Sequence, residues 1–505
     1  MNKLSDLEYL KLNKFKKIIY KLSLFFCSIP YAFLNFFKKI RNLFKLIFNK
    51  IKLEFLDVFN TFKNGDWKTR TSFFILGFGS IARGQILRGS FFLLFQIIFI
   101  LYTILWGGYY ISMLPTLGTV QRGEYEDPIS GEFFYTDGDN SFKILLYGVL
   151  SLAFIIGFIY TWRVNIKQNK IAQEILDSGK KLKSGKDDLK SLLDDQFHKT
   201  LLALPLLGIL IFTVIPIIFM ILIAFTNYDA NHTPPANLFT WIGLDNFNQL
   251  LNWSNGKNNF AATFGEILSW TIMWAFFATF TNYFLGMIVA MLINKKGIKL
   301  KKLWRGILVV TIAIPQFISL LYVSRMFDVN GIVNKYLLQF GLIDQAIDFW
   351  AKPTSARILV ILINIWVGVP FTMLQVTGVL QNIPAELYEA AKVDGAGPVK
   401  VFFKITMPYL LFVTGPYLIT SFTGNINNFN VIILLSGGNP PHNLAATSGK
   451  TDLLVTWLYK LTIGTDRPQY NVGAVIGILT FIVLASVSLL TYHRTGAYKN
   501  EEGFQ

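Results

Sequence analysis

The sequence is poor in the residues that disulfide stapling, metal binding and acid–base catalysis draw on. A single cysteine, Cys27, stands among 505 residues, which excludes an intramolecular disulfide. Leu24-Phe25-Phe26 before it lack the small residues of a lipid-anchor processing site, so a plain buried or interfacial thiol is expected. The four histidines, His198, His232, His442 and His493, fall in loops or at a span end. No His/Cys/carboxylate cluster has metal-ligand spacing, and no general acid–base pair is visible, which argues against a metal site or an intramembrane enzyme. Charged residues are only 15% of the chain, against about 25% in soluble domains. The C-terminal apolar runs carry almost no ionisable residues, and Glu266 and Arg357 sit near the outer ends of theirs. A proton relay or a voltage sensor would need charge at membrane depth. "LAATSGKT", Leu444 to Thr451, ends like a phosphate-binding loop, but Leu444 stands where the first glycine of that motif belongs. We read it as a chance match.

What the sequence has in quantity is apolar surface and positive charge. Hydrophobic residues make up 53%, and the net charge is +17. Lys and Arg held at one membrane face produce such an excess with no nucleic acid involved, and no nucleic-acid-binding motif accompanies it. No cleavable signal pattern opens the chain: Lys38, Lys39 and Arg41 interrupt the early apolar residues, and no A-x-A-like site follows. From about Lys11 to Phe62, Phe33, Phe36, Phe37, Ile40, Phe44, Ile47 and Ile51 recur at helical spacing, with Lys38, Lys45, Lys50 and Lys52 between them. That suits a helix on an anionic membrane surface; a partner-docking helix or a loosely ordered tail is the alternative.

Runs near the ~20 residues a bilayer requires lie at 90–114, 142–163, 200–226, 263–294, 304–325, 354–380, 409–436 and 471–492. The fold expected is therefore an all-α polytopic membrane protein with about eight transmembrane helices. The run 72–81 is too short to span and reads as interfacial or re-entrant. Lysine crowds the N-terminal region, the 164–199 loop and the 295–305 loop, whereas the 116–141 loop carries Glu124, Glu126, Asp127, Glu132, Asp137 and Asp139. The positive-inside rule then places both termini in the cytoplasm. The expected organisation is a basic surface region at 1–89, a first pair of spans with its linker at 90–199, a transmembrane domain at 200–492 and a cytoplasmic tail at 493–505.

Two stretches carry the functional signal. In the sixth span Asn364, Val367, Gly368 and Phe371 share a helical face, and in the seventh Ser421, Asn425 and Asn428 do so. Amides bond to hydroxyls and aromatic faces stack on sugar rings; interhelical hydrogen bonding with tight small-residue packing explains the same residues equally well. The second stretch is "ELYEAAKVDGAGPVKVFFKITMP", Glu386 to Pro408. Its start is good helix-forming sequence, Gly395 and Gly397 break it, and Pro408 closes it.

Glu389-Ala390-Ala391, Gly395, Ile405 and Pro408 match the EAA loop of binding-protein-dependent ABC importer permeases, Met407 replacing the usual Leu. From about Leu201 onward, "NNFNVIILLSGGNP" and "TDLLVTWLYKL" make the chain resemble the larger permease subunit of maltose/maltodextrin importers. The N-terminal third is similar to Gram-positive-type versions. The resemblance implies a type I permease core in the cell membrane and a coupling helix gripped by a cytoplasmic ATPase, involving Glu386, Glu389, Ala390, Ala391, Asp394, Gly395 and Pro408. It also implies sugar contacts from Asn364, Val367, Gly368, Phe371, Ser421, Gly424, Asn425 and Asn428. Gly424 departs from the aromatic residue of well-studied relatives, and the 227–262 loop lacks the large insertion of enteric ones. The partners implied are a second, homologous permease subunit, two copies of the ATPase, an extracellular sugar-binding (lipo)protein and membrane lipid. ATP and Mg would bind the ATPase, not this chain. The alternatives are a permease for another sugar or polyol, or an ion-coupled secondary transporter.

Overall fold

The computed structural model of the protein describes residues 48–126, 131–182, 184–252, 260–295, 297–443 and 447–492, with isolated positions at 13, 38, 41–42 and 45–46. Cys27, His493, Leu444 and the first part of the expected basic amphipathic helix lie outside them.

Six helices among the described residues are long and apolar enough to cross a membrane: Ile86–Met113, Ser141–Asp177, Phe197–Ile223, Phe260–Asn294, Pro353–Gln381 and Pro398–Ile426. Lys301–Ala313 and Gln316–Met326 make a seventh crossing if taken as one bent span, and Tyr470–Tyr492 is a further helix with a shorter apolar stretch. This is a multi-pass membrane protein.

Two of the expected spans are discontinuous. The 304–325 run is bent by 89°. Ile314 adopts an extended conformation (φ −79°, ψ 127°) before Pro315, because the ring of a proline crowds the preceding residue out of the α region. The 409–436 run divides at Ile426, and a separate helix, Phe429–Leu435, follows. Asn428 caps it, its side-chain oxygen accepting from the Val431 N–H at 3.3 Å. Short amide side chains compete with the helix for backbone groups, and three of them (Asn425, Asn427 and Asn428) stand at this break. Pro408, expected to close the polar stretch, instead sits inside the continuous Pro398–Ile426 helix. A π-helical turn at Phe402–Thr406 precedes it.

The chain divides into two compact units, Met1–Ile111 with Leu150–Leu210, and Ser112–Val149 with Ile211–Gln505. In the first, residues 48–64 are helical, and their carboxylates are tied to the Ser141–Asp177 helix. Arg163 pairs with Glu54 at 2.7 Å and Asp57 at 2.5 Å, and Lys170 pairs with Asp57 at 2.7 Å. The 72–81 run does not span; residues 72–77 are irregular, Phe78–Ile81 is a short helix, and the irregular part has backbone groups served by side chains of two long helices. Gln96 accepts from the Leu76 N–H and donates to the Phe74 carbonyl; Asn165 accepts from the Gly77 N–H and donates to the Ser72 carbonyl; the Trp162 indole donates to the Phe73 carbonyl. Non-helical backbone in apolar surroundings persists only when paired in this way.

In the second unit the Phe260–Asn294 helix is the spine. Trp270, Trp274 and Ala278 pack with Leu359, Val360 and Ile363 of Pro353–Gln381 in one buried cluster; Tyr283, Met287 and Ala290 pack with Met373 and Val376 in another. One end of the unit is tied by loops. The Trp241 indole donates to the Leu114 carbonyl at 3.0 Å, and the Ala230 N–H donates to the Pro468 carbonyl at 2.8 Å. Glu266 gathers the charged residues there: Lys450 lies 2.7 Å away, His442 2.8 Å and Arg357 3.5 Å. Burial holds the His442 imidazole below its usual range despite the Glu266 carboxylate beside it. Arg357 also lies over the Trp270 ring.

The neighbouring Asp452 is fully buried. It accepts from the Gly449 N–H at 2.7 Å, the Thr456 hydroxyl at 3.0 Å and Lys460 at 2.8 Å. Burial pushes its carboxyl upward, against the pull of Lys460. The Gly449 N–H is thus engaged within its own hairpin and not held out as a phosphate ligand. Removing one partner of a buried ion pair leaves the other uncompensated. Asp452→Ala is therefore expected to destabilise the protein by about 3 kcal/mol, the low end for such pairs because Lys460 keeps some solvent. Thermal unfolding of the purified protein in detergent, compared with Lys460→Met, measures this.

Candidate functional site

The broken span and the two amide-bearing helices enclose a cavity of about 410 Å³. The Phe260–Asn294 helix contributes Thr279, Asn282 and Tyr283; the break at Ile314-Pro315 contributes Gln316 and Ser319; the Pro353–Gln381 helix contributes Asn364, Val367, Gly368 and Phe371; and the chain end of Pro398–Ile426 contributes Tyr417, Ser421 and Asn425, with Asn428 just beyond. No Asp, Glu, Lys, Arg or His is among its lining residues. The wall mixes amides, hydroxyls and aromatic rings with aliphatic groups such as Ile312, Ile314 and Val367.

Of the residues expected from sequence to contact a sugar, Asn364, Val367, Gly368, Phe371, Ser421, Asn425 and Asn428 all line this one space. Gly424 does not; it is exposed, and a Cβ there would meet nothing within 4 Å. Asn425 and Asn428 are not successive residues of one helix face, as expected, but flank the break after Ile426. They are linked. The Asn428 amide donates to the Asn425 side-chain oxygen at 3.2 Å, and the Asn425 amide donates to the Thr279 hydroxyl at 3.0 Å. The Trp274 indole takes the Asn425 carbonyl at 3.1 Å. Asn364 is buried, and its Nδ2 has no hydrogen-bond partner.

Sequence reasoning missed Asn282, Gln316 and Tyr417. Gln316 enters only because the chain breaks before Pro315, and a proline inside an apolar helical run was the available signal. Asn282 was visible as one of two amides, with Asn294, within 35 apolar-rich helical residues, but nothing in the pattern says which way it faces.

The second candidate site is the polar stretch. Ala385–Val393 is a helix, with Glu386 in its first turn and Lys392 in its last. Ala391 is buried, whereas Glu386, Glu389, Ala390 and Val393 are exposed, leaving an outward face of mixed charge and apolar surface. The helix ends as the glycine requires. Asp394 is its cap, Gly395 takes φ +68°, the Gly395 N–H donates to Lys392 and the Ala396 N–H to Ala391 at 2.9 Å. These two bonds form a Schellman closure, which uses a left-handed residue most cheaply supplied by glycine. Tyr388 bonds the Thr406 hydroxyl at 3.1 Å, joining this helix to the π turn inside the Pro398–Ile426 helix.

The family model for the binding-protein-dependent transport system inner membrane component matches residues 282–494, which include both sites except the early wall residues Ala278 and Thr279. A maltodextrin transport system permease protein of Streptococcus pneumoniae is 35% identical over 436 residues, covering 85% of this chain and 95% of its own. A maltodextrin transport system permease protein of Bacillus subtilis is 34% identical over 435 residues, covering 85% and 95%. A galactooligosaccharides transport system permease protein of the same bacterium is 34% identical over 365 residues, covering 72% and 85%.

The cap at Asn428 gives a structural prediction separable from any ligand. Asn428→Ala removes the N-cap of Phe429–Leu435 and one partner of Asn425, so a loss of about 1 kcal/mol is expected from the cap. Asn428→Ser and Asn428→Asp, which retain a capping oxygen, should recover most of it in thermal unfolding without added sugar.

Proposed function

The chain belongs to the family of binding-protein-dependent transport system inner membrane components and is the permease subunit of a sugar ABC importer, and from that premise we propose that its cargo is maltose or a maltodextrin. The observation that carries the proposal is the cavity wall. Neutral amides, hydroxyls and aromatic rings suit a polyhydroxylated, uncharged solute, since amides donate and accept and rings offer apolar faces. A volume of about 410 Å³ falls among ordinary small-ligand pockets, roughly 300–1,000 Å³. Two relatives that align over most of both chains carry maltodextrin in their names. A second reading, another oligosaccharide such as a galactooligosaccharide, is supported by the third relative.

In this proposal both termini and the Ala385–Val393 helix face the cytoplasm, where the exposed Glu386, Glu389, Ala390 and Asp394 meet a cleft of a separate ATPase. An extracellular binding protein delivers sugar to the opposite side. ATP and Mg belong to the ATPase pair. That pair offers two clefts and this chain one coupling helix, so a second, homologous permease subunit completes the complex. Nucleotide-driven movement of the coupling helix then opens the cavity to each side in turn. Asn364, Val367, Gly368, Phe371, Ser421, Asn425 and Asn428 bind the sugar there.

Uptake into proteoliposomes holding the complete complex and binding protein tests the cargo. Maltotriose should enter only with ATP, and Asn425→Ala should slow its entry while leaving assembly intact. Uptake that persists without the ATPase, or a preference for galactooligosaccharides over every maltodextrin, would overturn the assignment. The coupling role has its own test. Gly395→Pro removes the N–H that bonds Lys392 and forbids the positive φ, so transport and sugar-stimulated ATP hydrolysis should both vanish while the protein still inserts in the membrane. Normal stimulation in that variant would sink the coupling assignment.

A further inference from the structure

We infer that Asn282 is a sugar-specificity residue of the cavity and that it works with Asn364 as an acceptor–donor pair for a hydroxyl group of the cargo. The inference rests on the reading of the cavity as a sugar site.

Three observations carry it. Asn282 and Asn364 line the same cavity from different helices. The Oδ1 of Asn282 and the Nδ2 of Asn364 are both buried without a hydrogen-bond partner. Gly368, one turn beyond Asn364, is the position against which the Asn282 amide rests. A Cβ on Gly368 would lie 2.3 Å from Asn282 Nδ2, 2.8 Å from its Cγ and 3.2 Å from its Oδ1. No β-carbon can stand there with the amide in place.

A buried acceptor and a buried donor left unpaired are a standing cost in the empty protein. The structure keeps both in a space that has no charge to satisfy them. A hydroxyl is the complementary group, because it donates one hydrogen and accepts through its lone pairs. Once the cavity opens far enough to uncover these two buried atoms, one sugar hydroxyl, or two on adjacent carbons, would donate to Asn282 Oδ1 and accept from Asn364 Nδ2. Sites built to bond a substrate hydroxyl discriminate strongly against ligands that lack it, because the site groups are then stranded. Gly368 acquires a different role from the one its position first implies: it admits the Asn282 amide and need not touch the sugar.

The test uses the complete complex with its ATPase, second permease and binding protein in proteoliposomes, and maltotriose as the probe. KM and kcat for uptake are measured for Asn282→Ala, Asn364→Ala, Gly368→Ala and the double variant Asn282→Ala/Gly368→Ala. Asn282→Ala should raise KM by roughly 10-fold or more, with a smaller change in kcat. Gly368→Ala should do the same by displacing the amide, and the double variant should be no worse than the poorer single one. Asn282→Ser, which keeps a short polar group, gives the same reading should the alanine variant fail to insert. If Asn364→Ala impairs uptake while Asn282→Ala and Asn282→Ser leave KM unchanged, the inference falls and the sugar cavity stands. If neither Asn282 nor Asn364 affects uptake, the cavity reading falls and takes the inference with it. If the effects of Asn282→Ala and Gly368→Ala multiply, Gly368 acts on the sugar independently and the pairing is overturned.

Discussion

Every break in a helix in an apolar medium frees backbone groups that must be paired again, and this constraint shapes the functional half of the protein. Hydrocarbon offers no hydrogen bonds, so the freed groups must find partners within the chain. The cavity exists because two helices break at its edge, before Pro315 and after Ile426. The second break is held by the spine helix. The Trp274 indole takes the Asn425 carbonyl, and the Trp270 indole takes the Thr451 carbonyl nearby. The Asn428 side chain pairs one free N–H of the helix that follows, that of Val431. At this second break an opening lined by polar groups is thus obtained with the Asn425 carbonyl and the Val431 N–H paired.

The amides at the second break accordingly serve two demands. Asn425 is already bonded to Thr279 and Asn428, so packing is part of its role whatever else it binds. Asn364, in contrast, carries an amide nitrogen with no partner. Interhelical bonding and solute binding, which the sequence left equally open, therefore weigh differently at these two asparagines.

Much of this was legible in the residues. The short Ala385–Val393 helix, its polar exposed face and the left-handed glycine follow from Glu389-Ala390-Ala391 and Gly395, because helix propensity and glycine's conformational freedom are local properties. The shared faces at 364–371 and 421–428 also drew together at one cavity. What was not legible was long-range or directional. A straight span and one bent by 89° have the same apolar composition, so only Pro315 marked the bend. Ser421, Asn425 and Asn428 keep helical spacing in sequence, yet the helix ends between the second and third. Pro408 read as a stop, but the Phe402–Thr406 π turn lets the helix continue through it. Asn282 was one amide among apolar neighbours, and its direction depends on the Pro353–Gln381 helix packed against it. The charged residues Glu266, Arg357, His442 and Lys450 are far apart in sequence and meet only through the fold.

The Tyr388–Thr406 contact joins the Ala385–Val393 helix to the first third of the Pro398–Ile426 helix, while Ser421 and Asn425 lie near its chain end. That helix has 29 residues, and at about 1.5 Å per residue it is a rod of roughly 40 Å. On such a lever arm, one degree of tilt at the Pro398 end moves the far end by about 0.7 Å. Rotations of a few degrees are then enough to carry an amide out of hydrogen-bonding range. The Tyr388–Thr406 contact and the cavity residues Ser421 and Asn425 need share no neighbour to be linked; they lie along one helix, whose π turn at Phe402–Thr406 and internal Pro416 are the places where it bends most readily.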